Sequence, residues 1–577
     1  MGVGLRRSGC CSGVFEGFRS WESVSCAALG GPRSHKEGVE VGVVLSTSTT
    51  EVASVTADLD TRCGELYSRD DEVLPAEGVD AERASGLVSG FAASRGQFES
   101  VVGFLDGTDA AGLSHAELED RLDRDGRELL RQLLADHLAL RAIREQRLDK
   151  VVGDEGTRRG RVESGHARAL ETVFGTVTVE RLAYRAPGLA NLHPADAILN
   201  LPIERHSHGL RKLAAVEAAR GSFQDACEAI ERATGQRLGH RQVQELAQLA
   251  AVDFEDFYAA RRPARSKPGD LLVLSADGKG IVMRPDALRP ATATRRARAG
   301  PMPRARLAGG EKLNCKRMAE IGAVYDAAPA PRTTADILAR DGDNEPAPGP
   351  VAANKWLCAS IVKNTGTVIK HVFGEADRRD PKHRRTWVAL VDGNNHQIQR
   401  IKAEAKARGV EVTIMVDLIH VLEYLWAAAG CLFPNLNPAE WVHLQATRVL
   451  QGHATKVAGT IRRTATNRRL DPAPRKPADH AANYLTSKAP YLDYPTALAN
   501  GWPIATGIIE GACRHLVKDR LDITGARWGL AGAEAILKLR AIKANGDFDQ
   551  YWAYHLAQER HHVHEARYRD NIIPTVT

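Results

Sequence analysis

Apolar and polar residues alternate with different periods along the chain, and each change of period predicts a different kind of element. In ELLRQLLADHLALRAIREQRL, leucines recur at three- and four-residue spacing between charges, the stripe of an amphipathic packing helix. Helical patterning extends from Leu87 to about Val152. TVFGTVTVERLAYR then alternates valine with polar residues around a Gly-Thr, which predicts a small hairpin of extended strands. Three helical segments follow, near His208–Ala219, Ser222–Thr234 and His240–Ala250, separated at Gly221 and at Gly235-Gln236. Their spacing suits a helix-turn-helix with HRQVQELAQLA as recognition helix, presenting His240, Arg241 and Gln244 to a major groove. A plain three-helix packing unit fits the same pattern.

Beyond Pro263 the pattern becomes α/β. LLVLSADGKGIVMR is an apolar strand running into Asp277, and EIGAVYD, GTVIKHVFG, WVALVDG and VEVTIMVD read as four more strands, with helical HQIQRIKAEAKARG between the last two. Three strands, a connection, a strand, a helix and a strand is the order of a ribonuclease H-like mixed sheet. In that order one carboxylate lies on the first strand, one just after the fourth and one on a later helix. Asp277, ending the first strand, Asp392, ending the fourth, and Glu510, in the helix start ATGIIEGACRHLVKDR, occupy those places. Two stretches interrupt the pattern. Pro285–Leu313 carries Arg289, Arg295, Arg296, Arg298, Arg304, Arg306 and Lys312 and reads as a flexible basic loop that tracks phosphates. Ala327–Ala353, rich in Ala, Pro and Gly, reads as a linker. Between Leu418 and Asn500 a largely helical insertion includes HLQATRVLQGHATKVAGTIRRTATNRRL, whose cations suit DNA contacts.

With 577 residues the chain divides into several units. Residues 1–60, rich in Gly, Ser, Thr and Val, are expected to be disordered or to precede the true start, since Met1 is the only methionine before Met283. Residues 61–160 form a helical N-terminal region, and 161–265 a hairpin plus helix-turn-helix-like DNA-binding module. Residues 266–577 form the catalytic domain, with the basic loop at 285–313 and the helical insertion at 418–500. The fold class is thus an α/β ribonuclease H-like domain preceded by a mostly α DNA-binding region. No apolar run approaches the ~20 residues of a membrane span, and the N-terminus lacks the apolar core of a signal peptide. The nine cysteines are scattered without a C-x-x-C pair, which fits a reducing cytoplasm. The net charge of +6 hides an asymmetry: residues 51–130 hold 19 acidic against 7 basic side chains, a sum of −12, so the rest carries +18. That excess implies a polyanionic partner and a nucleoid-associated cytoplasmic protein.

Taken singly, each acid has a modest explanation. Asp277-Gly278 and Asp392-Gly393 are turn dipeptides, Glu510 can pair with Arg514, and Asp417, before HVLEYLWAAAG, can cap a helix. Together they suit phosphodiester chemistry with two Mg²⁺ (or Mn²⁺) ions ~4 Å apart, held by hard carboxylate oxygens on either side of a scissile phosphate. Arg514, His515, Lys518 and Arg520, with Arg527 and Trp528 beyond, are candidates to bind phosphates and stack on an exposed base. Trp528 suits a core position equally well. The terminal RHHVHEARYRD reads as a solvated basic helix rather than a metal site.

SADGKG, EKLNCKRMAEIGAVYD, WVALVDGNNHQI, VTIMVDLIHVLEYLW and the long block PIATGIIEGACRHLVKDRLDITGARWGLAGAEAILKLRAIKANGDFDQYWAYH resemble the ISKra-type family of bacterial insertion-sequence transposases, over roughly Val162 to Tyr568. The resemblance implies an Asp277, Asp392 and Glu510 catalytic triad that binds divalent metal. It also implies terminal inverted repeats and target DNA as partners, and work as a homodimer or higher oligomer. Asp417-x-x-His420 has the form of an acid-x-x-His element found between the second and third acids of related transposases, an accessory pair. The arginine-rich loop and the N-terminal extension depart from the family pattern. Two other readings remain open: a structure-selective nuclease of the same fold, and an inactive, transposase-derived DNA-binding protein.

Overall fold

The computed structural model describes residues 90–263, 265–298, 315–339, 345–523 and 525–575. The segment 1–60 and residues 299–314 of the basic stretch lie outside the described residues.

Helix α1 (Ala92–Asp106) packs on the long α2 (His115–Arg144), started by a capping box between Ser114 and Glu117. Ser94 ties the two helices together, its main-chain N–H donating to Asp136 at 2.9 Å. Helix α2 ends short of Val152, which instead bridges to Arg158 in extended backbone. The hairpin follows, longer than its valine pattern suggested: β1 (Arg161–Thr172) and β2 (Gly175–Arg185) turn at Val173-Phe174 rather than at the Gly-Thr. Gly175, at φ 136°, takes the backbone that a side chain would resist.

The three expected helices form where the pattern placed them: α3 (His208–Arg220), α4 (Phe223–Thr234) and α5 (His240–Leu249). Ser207 and Ser222 cap the first two, and Gly235 ends α4 in the left-handed region. Their apolar faces, including Leu210, Ala214, Ile230, Val243 and Leu246, belong to the same core as the central sheet. Helix α6 (Phe254–Ala260) continues that packing.

The sheet has five strands in the order β5-β4-β3-β6-β7. β3 (Leu271–Val282), β4 (Lys316–Ala327) and β5 (Ala352–Ser360) are antiparallel neighbours, while β6 (Trp387–Val391) joins β3 in parallel and β7 (Val412–Val416) joins β6 in parallel. GTVIKHVFG is not the third strand: it lies within helix α7 (Thr365–Arg379), capped by Asn364. Val368, Ile369, Val372, Phe373 and Ala376 are its buried face, a helical spacing that the β-branched residues disguised as a strand. The third strand is Ala352–Ser360, at the end of the supposed linker. Gly322 on β4 lets α7 close on the sheet, since a Cβ there would collide with Val372 and Cys358. The first part of the basic stretch is also more ordered than a flexible loop, forming a short helix at Pro290–Arg298 with its arginines outward.

Helix α8 (Asn395–Arg408) links β6 to β7. The insertion is helical as expected: α9 (Leu418–Leu432), α10 (Ala439–Leu450), α11 (Ala454–Asn467), α12 (Pro472–Lys488) and α13 (Tyr494–Ala499). Helix α14 (Gly507–Ala512) passes into a π-turn at Cys513–Lys518, and α15 (Leu530–Ala544) and α16 (Phe548–Glu559) follow. These last two close over α3–α6: Arg211 pairs with Glu559 at 2.6 Å, Tyr551 donates to the Ala250 carbonyl at 2.8 Å, and Tyr258 donates to Asp547 at 3.0 Å.

The seam between the hairpin unit and the C-terminal segment is rich in buried and half-buried histidine. His208 bonds the Asn200 carbonyl at 2.6 Å and His564 bonds that of Leu201 at 2.8 Å. Burial, the largest cause in each case, lowers the pKa of His193 (to about 4), His206, His208 and His564. Arg181, Arg205, Arg211 and Arg567 add to it against the pull of Asp196, Glu204 and Glu559. A histidine held neutral in the fold takes up a proton on unfolding once the pH falls below its free value of ~6.5, so its contribution to stability is lost toward acid pH. Amide hydrogen exchange around Asn200–Leu210 should therefore accelerate between pH 7.5 and 5.5, beyond the intrinsic pH dependence, while the β3–β4 core is spared. Equal protection at both pH values would refute this.

Candidate metal centre

Sheet register places the acids. β6 pairs with β3 up to Leu390–Ser275 and with β7 up to Val416–Val391. Carried one or two residues further, the same register sets Asp277, Asp392 and Asp417 level across three adjacent strands. Asp277 is not at a strand end, because β3 runs on to Val282 against β4. What ends there is the pairing with β6, and that divergence opens the sheet beside the acids.

Each acid is held differently. Asp277 accepts from the Gly278 N–H at 2.6 Å and from the Cys513 thiol at 3.1 Å. Asp392 starts a turn, accepting from the Asn394 N–H at 2.8 Å, while its carbonyl takes a bond from the Tyr484 hydroxyl at 2.8 Å. Gly393, at φ 90°, is required there twice over, since a Cβ would also strike Tyr484. Asp417 is fully buried at the N-terminus of α9. It accepts from the Ile419 N–H (3.0 Å), the Thr506 hydroxyl (2.6 Å) and N–H (3.3 Å), and the His420 ring (3.1 Å). The expected capping role is real, but it is one of four bonds.

Glu510, exposed on α14, completes the arrangement. Ligand atoms of Asp417, His420 and Glu510 lie within 4.8 Å of one another, the one group among the described residues that can hold a metal ion. The expected triple of Asp277, Asp392 and Glu510 is not brought within that distance. Electrostatically, however, the acids share one field. The hydrogen bond to Asp417 raises His420 to about 9, against desolvation, with Glu423 and Asp392 adding to the rise. His420 is therefore a cation at neutral pH and must lose its proton to bind a metal. Partial desolvation, then Asp417, Glu423 and Asp277, raise the Glu510 carboxyl against the pull of His420. Such a cluster of carboxylates beside a histidine is suited to take up a cation.

No family model matches the chain, and no curated protein matches it significantly.

The remaining candidates separate by burial. Arg514, His515, Lys518 and Arg527 are exposed, with Asp519 near Arg514 and His515. Arg520 and Trp528 are built into the core instead: the guanidinium lies 5.1 Å from the Phe223 ring and 4.8 Å from that of Trp528, and its Nε bonds the Ala218 carbonyl. Trp528 donates to the Leu521 carbonyl at 3.0 Å. On α5, Arg241 is exposed and paired with Glu245 at 2.9 Å, whereas Gln244 is half-buried against Gly532 of α15. Sequence reading passed over Thr506, Cys513 and Tyr484. Each lies far along the chain from the acid that it bonds, so no local spacing signals the contact.

Proposed function

We propose that the chain is a DNA transposase of the three-carboxylate type, which cuts the ends of an insertion sequence and joins the exposed 3′ hydroxyls to target DNA. The observation that carries this reading is the placement of acids. Asp277 lies on the first strand of a sheet with three antiparallel strands on one side and two parallel on the other, Asp392 leaves the neighbouring parallel strand, and Glu510 comes from a later helix. Such an order is that of a ribonuclease H-like domain, and the resemblance of the motif blocks points the same way.

The donor set fits Mg²⁺ or Mn²⁺, because Asp277, Asp392, Asp417 and Glu510 offer hard oxygens, and Asp417 and Asp277 both raise the Glu510 carboxyl, a repulsion that a bound cation would relieve. In this reading Asp277, Asp392 and Glu510 would hold two ions, as the resemblance implies, and Asp417 and His420, which stand closer to Glu510, would be an accessory pair. The ions, when bound, would activate the attacking water or 3′ hydroxyl and stabilise the leaving oxygen. The chain's own side chains orient the carboxylates, and its exposed cations hold the DNA backbone. Arg514, Lys518 and Arg527 are exposed and follow Glu510 along the chain, and Lys456, Arg463, Arg468, Arg469 and Lys476 are exposed on the insertion. Arg241, exposed on α5, would contact terminal repeats. Joining two ends calls for a homodimer or larger assembly. Among the described residues no helix is long and apolar enough to cross a membrane.

The deciding experiment incubates the full chain with end-containing DNA and a target plasmid in Mg²⁺ or Mn²⁺. Joined products support the reading. Cutting without joining makes the protein a structure-selective nuclease, and end binding without cutting makes it a non-catalytic DNA-binding protein.

A companion prediction separates exposed from buried cations. Arg514→Ala and Lys518→Ala should each weaken DNA binding and reduce the slope of log affinity against log salt by about 1. Arg520→Ala should leave a gap beside Phe223 and Trp528 and lower stability by ~1–3 kcal/mol, through packing and lost ring contacts. The readouts are binding titrations at several salt concentrations and denaturant midpoints. An Arg520→Ala protein of wild-type stability that loses only DNA affinity would return Arg520 to the binding surface.

A further inference from the structure

The helix that carries Glu510 touches the neighbouring aspartates through two side chains, one on each side of Glu510. Thr506 stands where α14 begins, yet its hydroxyl makes no capping bond. It donates instead to the buried Asp417 carboxylate at 2.6 Å, with the Thr506 N–H adding a bond at 3.3 Å. The Thr506 carbonyl in turn accepts the Glu510 N–H at 3.1 Å. On the other side, the Cys513 N–H bonds back to the Glu510 carbonyl, and the Cys513 thiol donates to Asp277 at 3.1 Å. Thr506 and Cys513 are both buried. Glu510 is thus tied by its own main chain to two residues whose side chains end on Asp417 and on Asp277. The π-turn at Cys513–Lys518 follows directly, and a π-turn alters the angular position of every later residue on the helix.

We propose that Thr506 and Cys513 are positioning residues that set the register of the Glu510 helix against the aspartates, so that Glu510 can share a metal with them. This rests on the proposed metal-dependent function. Neither residue touches substrate; each acts through the acid it bonds. Thr506→Val keeps the side-chain shape and removes the donor, and Thr506→Ser keeps the donor. Cys513→Ala and Cys513→Ser form the matching pair.

Three readouts test the proposal on the full chain. First, Thr506→Val and Cys513→Ala should each lower kcat for cleavage at least about tenfold with KM for DNA within about twofold, and the serine variants should recover most of the loss. Second, Mn²⁺ binding, followed by electron paramagnetic resonance without turnover, should weaken by about tenfold in the same two variants. Third, in metal-free protein, Thr506→Val should speed alkylation of Cys513, read by mass spectrometry at that site, because the start of its helix is no longer held to Asp417. Wild-type kcat and Mn²⁺ affinity in both variants, with Cys513 alkylation unchanged, would overturn the proposal. So would equal losses in valine and serine, or alanine and serine, variants, which mark a packing role. If the wild-type chain neither binds Mn²⁺ nor cuts DNA, the functional reading fails, and the alkylation rate alone then decides whether Thr506 holds the helix.

Discussion

Asp392→Asn protein should bind terminal DNA as tightly as the wild type and cut it at least about a hundredfold more slowly. Asparagine matches aspartate in size and can still accept the Asn394 N–H bond that shapes the turn, so the fold has little reason to respond. What disappears is one negative charge level with Asp277 on the adjoining strand. If the proposed function holds, Asp277→Asn and Glu510→Gln should behave alike, each removing one carboxylate charge of the proposed metal site while leaving size unchanged. The measurement is single-turnover cleavage of end DNA beside a binding titration. Full cleavage by Asp392→Asn with none by Asp417→Asn would move the second ligand to β7. The structure makes that reversal a serious test, since Asp417, not Asp392, lies within reach of Glu510 and His420.

Asp417→Ala should lower stability by ~3–5 kcal/mol. The cost comes from what the carboxylate leaves behind: the Ile419 and Thr506 N–H groups, the Thr506 hydroxyl and the His420 ring lose a common acceptor in a fully buried place. Asp417→Asn should cost less, because its carbonyl can still cap α9, but its amide then faces two donors, Thr506 and His420. Cutting by this variant should fall without vanishing. Denaturant unfolding followed by Trp fluorescence would measure the loss, and a midpoint unchanged in Asp417→Ala would show that the four bonds contribute little.

Much of the arrangement can be read from the chain alone, for identifiable reasons. Helices α3–α5 announce themselves through breaking glycines and a regular apolar stripe, with serine caps on the first two, all local signals. Strands β6 and β7 are short apolar runs, each ending on an aspartate, so WVALVDG and VEVTIMVD gave both the strands and the acids. The third strand misled because Val368, Ile369 and Val372 favour extended backbone intrinsically; packing against Gly322 and Cys358 lets the helical spacing prevail. The bland and functional readings of Arg520 and Trp528 could not be separated locally either, since a cation beside an aromatic residue looks the same whether it faces solvent or Phe223.

The sequence by itself determined which residues bear charge and where the acid-bearing strands end, because short-range periodicity and turn chemistry decide both. Only the tertiary structure decided which acids stand together. Proximity among Asp277, Asp392, Asp417 and Glu510 depends on strand register, on parallel pairing of β6 with β3, and on a helix that begins about 90 residues after Asp417 and docks through Thr506 and Cys513. Those contacts join residues remote along the chain, and their geometry follows from how the whole core packs rather than from any local preference.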